Sequence, residues 1–142
     1  VARTRTIRDE PAPPDDACVL RALTVGIELT RGELEANARA NQEVYGFWGI
    51  SVFLAVDATD VAALHGGRLS AFELIAHLVV GDLRAAGLAL LPTGAVPHQD
   101  IVTTSDAPYG QTEADLELLL DAVMSVPHNV RENPLWDPEG GS

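Results

Sequence analysis

The sequence predicts a single α+β or mixed α/β domain with about four or five strands and three or four helices. Three observations carry that expectation. Short β-branched and aromatic runs, clearest at 49–56, alternate with segments of helical spacing. Several of those segments open on capping-box sequences. The composition, 46% hydrophobic and 21% charged over 142 residues, suits one globular unit and excludes an acidic disordered chain.

Residues 1–16 hold Arg3, Arg5 and Arg8 ahead of Pro11, Pro13 and Pro14. Without apolar periodicity they read as a flexible Pro-rich arm, leaving 17–142 as the globular α+β domain. Residues 18–25 are apolar and read as a first strand. Thr30 and Glu33 form a capping box for a helix to about Val44, with Leu34, Ala38, Asn41 and Tyr45 on one face and Gly46 as its stop. A second strand follows at 49–56, then a short helix over 57–65 ending at Gly66-Gly67.

Ser70 and Glu73 offer another capping box. Phe72, Ile75, Ala76, Val79, Leu83 and Ala86 recur at helical spacing, which predicts one helix over 71–86. The competing reading is a buried strand at 74–80 followed by a short helix. Gly81, which costs a helix about 1 kcal/mol relative to Ala, leaves both open. Strands at 88–92 and 101–104 flank a Gly- and Pro-containing turn. Thr112 opens a last helix, whose stripe of Leu116, Leu119, Leu120, Val123 and Met124 runs to Pro127, and 128–133 reads as a final strand.

Asp plus Glu number 21 against 9 Arg and no Lys, a formal net charge of −12. That balance opposes a nucleic-acid backbone and an anionic membrane surface, and its electrostatic complement is a basic protein partner. No apolar run reaches the length of a membrane helix. Cys18 is the only cysteine, which rules out an intrachain disulfide and fits a cytoplasmic setting. The histidines at 65, 77, 98 and 128 lack a second ligand at zinc-finger spacing, and no cofactor signature is present, so no metal and no cofactor are expected. Nothing in the sequence sets an oligomeric state.

The candidate site residues are few. Arg21 is a cation inside an apolar strand, suited to clamping an anion. His98 and Asp100 alternate on a strand and so share a face, the geometry in which a carboxylate orients an imidazole base. Ser51 lies in the second strand and Glu132 in the last. Tyr45, Phe47, Trp48 and Trp136 offer aromatic surface for binding. For Phe47 and Trp48, bracketed by Gly46 and Gly49, the competing reading is a turn whose rings plug the core.

An early-strand Arg21, a following-strand Ser51 and a late Glu132 resemble the ADP-ribosyltransferase-like pattern of toxin enzymes. The resemblance implies a small toxin-class transferase, or with His98 and Asp100 a nuclease-like enzyme. Residues 50–52, Ile-Ser-Val, depart from that family's Ser-Thr-Ser run, and Val130 stands where it has Gln or Glu. The segments 45–52 (YGFWGISV), 97–102 (PHQDIV) and 133–138 (NPLWDP) look like those of short uncharacterised actinobacterial proteins, a resemblance that implies no activity. The leading expectation is a small acidic cytoplasmic binding or accessory protein acting through a protein partner. The enzyme reading is its alternative.

Overall fold

The computed structural model describes residues 6–24, 26–104 and 112–139. Its elements are β1 (Cys18–Ala22), α1 (Arg31–Tyr45), β2 (Ile50–Ala55), α2 (Ala58–Gly66), β3 (Leu74–Val79), α3 (Val80–Ala85), β4 (Leu88–Leu91), β5 (His98–Thr103), α4 (Glu113–Ser125) and β6 (His128–Glu132). The strands form one antiparallel sheet in the order β4-β5-β2-β1-β3-β6.

One face of the sheet buries Val19, Ile50, Val52, Ala76, Leu78 and Ile101 under Leu34 and Ala38 of α1 and Leu116, Leu119, Leu120 and Val123 of α4. The other face buries Leu20, Ala55 and Ile75 under Leu64 of α2 and Leu69 beyond it. Two faces of alternating side chains, each covered by helices, make this an α+β sandwich. The α1 and α4 helices are laced antiparallel by Arg31 to Glu117 and Asp121 and by Arg39 to Glu113.

The caps form as expected at Thr30, which accepts from Glu33 N–H at 3.2 Å, and at Thr112, whose full capping box is closed by Asp115. Gly46 ends α1 in the left-handed conformation, φ 85°.

Several expectations are corrected. The sheet has six strands, not four or five. Residues 71–86 are not one helix; they divide into β3 and the six-residue α3, which carries the chain across the sheet end to β4. The reason is burial on both faces. Ile75, Ala76, His77 and Leu78 are all buried, and a strand covered on both sides needs a continuous apolar run, which also satisfies helical spacing. Ser70 is no cap; it is buried, and its carbonyl accepts from Asp137 N–H at 2.7 Å. The β5 strand begins at His98, three residues before its expected start.

A further correction concerns the arm. Residues 1–5 lie outside the described residues, but 6–16 dock rather than hang free. Ile7 bridges Thr93, and Arg8 N–H donates to Pro92 O at 2.7 Å. The Arg8 guanidinium donates to three carbonyls, Thr93 at 2.6 Å, Gly94 at 2.9 Å and His98 at 2.9 Å. Arg8 also pairs with Glu10 and holds its carboxyl below the ordinary value, with burial opposing. Glu10 in turn accepts from the buried Gln99 at 3.0 Å.

These bonds make the arm part of the domain. Arg8→Ala should therefore cost about 1.5–3 kcal/mol, the range for charge-assisted hydrogen bonds. The melting temperature should fall by a few degrees. A thermal melt that superimposes on the wild type would show that the arm contributes nothing.

Candidate functional site

The polar centre of the molecule begins where two strands part. β1 pairs with β2 only over Cys18–Leu20, after which Leu23 N–H stays with β3 by donating to Leu74 O. On that side the N-terminal part of β2, still paired with β5 on the other, then faces α1 instead of a strand. Buried backbone groups need partners, and side chains supply them. Ser51 N–H donates to Asn37 Oδ1 at 2.8 Å, Ser51 O accepts from Arg21 Nη1 at 2.8 Å, and Gly49 O accepts from Asn41 Nδ2 at 2.7 Å. Arg21 also donates to Asn37 Oδ1 at 3.0 Å. Burial pushes the Arg21 guanidinium below its ordinary pKa, and Glu33 partly offsets this.

Glu33, Asn37 and Asn41 lie four residues apart on one face of α1 and meet, in turn, Thr24 just past β1, Ser51 on β2 and Asp100 on β5. Four helical residues advance about 6 Å, close to the roughly 4.8 Å between strands, so a helix lying across the sheet end can serve successive strands.

Asp100 is enclosed completely. Its Oδ2 accepts from Thr93 Oγ1 at 2.7 Å, and its Oδ1 lies 3.4 Å from Asn41 Nδ2. Thr93 Oγ1 and Thr93 O lie 3.0 and 3.1 Å from His98 Nδ1. The carbonyl can only accept and the threonine proton is committed to Asp100, so His98 Nδ1 carries hydrogen. The His98 ring also packs edge-on against Phe53 at 5.6 Å. Gly49 allows the close approach, since a Cβ there would sit 2.8 Å from the Phe47 ring and 3.1 Å from Asp100 Oδ1.

Arg21, Ser51, Asp100 and His98 are thus joined in one network through Asn37, Asn41 and Thr93. His98 and Asp100 share a face of β5, as their spacing predicts, and Thr93 links them. Glu132 is not part of the network: it sits on β6, three strand positions from Ser51. Phe47 and Trp48 are buried, with Trp48 Nε1 donating to Thr112 O at 2.9 Å, so these rings are core and not a platform. Tyr45 ends α1 half-buried, and Trp136 is exposed.

Asn37, Thr93 and Arg8 were not singled out from sequence, nor was Asn41 as a network member. Asn41 did carry a signal, being an amide on the apolar stripe of Leu34 and Ala38.

Two clefts flank the hairpin loop at 92–97, which contains a cis Val96–Pro97 bond. One, about 360 Å3, is lined by Tyr45, Phe53, Arg68 and His98 with the loop backbone. The other, about 520 Å3, lies between α2 and the loop and is walled mainly by Leu54, Val56, Ala63, Leu64, Val96 and Pro97. Arg68 borders both, its guanidinium 5.5 Å over the Phe53 ring.

A second buried polar cluster lies under α2, where the rings of His65 and His77 meet at 5.8 Å. Burial lowers both pKa values, with Arg131 adding to the effect, and takes His77 down to about 4. Among the described residues no three His, Cys, Asp or Glu side chains are grouped to hold a metal ion, and no helix is long and apolar enough to cross a membrane.

Comparison with protein-family models, with curated proteins and with solved structures finds no match to this chain.

Two outcomes follow from the packing. Gly49→Ala should destabilise by about 1–3 kcal/mol through crowding of Phe47 and Asp100. An unchanged urea midpoint would show that the ring and carboxylate have room to move. His77 should make stability depend on pH. Its folded value lies below the reference of about 6.5, so the unfolded chain takes up the proton first. The stability is fully present above about pH 6.5 and is lost as pH falls toward about 4, by at most roughly 3 kcal/mol. Urea titrations of wild type and His77→Leu should converge or diverge across that window, with the wild type alone losing this contribution. Parallel curves would exclude it.

Proposed function

We propose that this chain is a small binding or accessory protein that acts through a protein partner, and that the cleft between α2 and the hairpin loop is its recognition surface. The observation that carries the reading is the apolar wall of that cleft. Val56 and Val96 stand 49% and 65% exposed on either side of it. Exposed apolar surface lining a concavity is favourable only once it is covered.

The occupant we infer is an apolar side chain presented by a basic protein. Glu10 and Asp60 stand with Arg68 around the apolar wall, and the chain as a whole carries −12. Such a field speeds the approach of a cationic partner, while the apolar anchor supplies the hold. The loop wall is stiffened by the three carbonyl bonds of Arg8, which reduces what ordering it would cost on binding.

The transferase-like and nuclease-like alternatives draw no comparable support. The Arg21 guanidinium donates to Asn37 and Ser51 O, Asp100 is enclosed, and Glu132 stands on another strand at the far side of the sheet.

Photo-crosslinking tests the proposal. A crosslinker at Val96 should capture one stoichiometric basic protein, and Val56→Asp should reduce that capture at least tenfold while the melting temperature holds. Capture unaffected by Val56→Asp, or equal capture from a crosslinker at Ala85 on α3, would refute the cleft as the recognition surface.

A further inference from the structure

The fold treats the two edges of its sheet differently. Beside the β4 edge the arm is bound, through Ile7, Arg8 and the Arg8 N–H to Pro92 O bond. Beside β6, among the described residues, there is no further strand. An open edge is a row of unpaired N–H and C=O groups, which proteins usually blunt with proline, lysine, a bulge or a cover. Pro127 and Pro134 flank β6, but its five residues contain none, and they pair with β3 without a bulge.

The hydrogen-bond phase of that edge follows from two bonds. Leu74 O accepts from Leu23 N–H, so Leu74 faces β1 and not its register partner Glu132. Asn133 N–H donates to Glu73 O at 2.7 Å. Backbone groups alternate in direction along a strand, so Asn129 and Arg131 turn theirs to β3, while His128, Val130 and Glu132 turn theirs outward.

We propose that this edge pairs with β6 of a second copy of the chain, antiparallel about a two-fold axis at Val130. In that register Val130 meets its own counterpart, and His128 meets Glu132 twice. All three are hydrogen-bonded pairs, which use every outward N–H and C=O of the five residues. On the other face Asn129 meets Arg131. Imidazole opposite carboxylate and amide opposite guanidinium are favourable cross-strand pairs, and like charges directly opposite are not.

The sequence selects this register over its neighbours. A slip of two residues centres the pairing on Asn129 or sets Arg131 against Arg131, and a slip of four sets His128 against His128 or Glu132 against Glu132. Each of these slips also leaves outward groups of the strand without a strand partner. Only the register centred on Val130 avoids both faults, and a self-complementary surface is what a two-fold dimer requires. The strand is short and each copy carries −12, so the association is weak, with a dissociation constant of about micromolar to millimolar.

Sedimentation of the full chain over a concentration series reaching the millimolar range tests this. The weight-average mass should climb from monomer toward dimer. Val130→Pro removes one outward N–H and no bond to β3, so it should weaken association at least tenfold with the circular dichroism unchanged. If that variant fails to fold, Glu132→Arg, which sets Arg against His128, should weaken association likewise. Adding His128→Glu to Glu132→Arg should restore it. A wild-type chain that stays monomeric throughout, or a dimer indifferent to these substitutions, overturns the proposal.

Discussion

The backbone of Ser51 is the point on which the rest of this structure depends. β1 leaves β2 after Leu20, and the half-buried Ser51 is left with an N–H and a C=O that no strand receives on that side. An unpaired backbone group costs about 1–3 kcal/mol when fully buried and less where it is half-buried, as at Ser51. Asn37 and Arg21 take the two groups, and Asn41 does the same for Gly49. α1 is thereby held in place by hydrogen bonds that a strand would otherwise make, as well as by Leu34 and Ala38 beneath it.

The consequences spread from there through polar contacts. Asn41 reaches Asp100 and Asp100 accepts from Thr93, which binds His98 and sets the loop at 92–97. Arg8 clasps that loop from outside and ties down the arm that borders β4. The same chain of contacts shapes both clefts beside the loop. The polar residues that look most chemical in the sequence are bonded to one another within the fold, and the recognition surface we propose is the apolar wall beside them. Asp100 is accordingly enclosed completely, and the Arg21 guanidinium is bonded to Asn37 and Ser51 O.

Much of this was legible in the sequence where the deciding interaction is local. Thr30 and Thr112 announce their helices because a cap and its partner are three residues apart. His98 and Asp100 share a face because strands alternate. Phe47 and Trp48 could be read as core plugs from the glycines beside them. What failed was decided at a distance. Whether 74–79 is a strand depends on β1 and β6 lying on either side of it, and no local spacing reports that. Arg21 stands out in sequence, but its partner Asn37 lies on a helix 16 residues away. Arg8 reads as part of a loose arm because its acceptor His98 O is 90 residues distant.

Amide hydrogen exchange at Ser51 reports directly on the bond between α1 and β2. In Asn37→Ala the helix and the strand both remain, but the acceptor of the Ser51 N–H is gone. Exchange at Ser51 should accelerate by about tenfold or more relative to the wild type, while the amide of Ile75 on β3 keeps its protection. Equal exchange at Ser51 in the two proteins would contradict this, because the bond from α1 would then not be what secures β2 at the place where β1 departs.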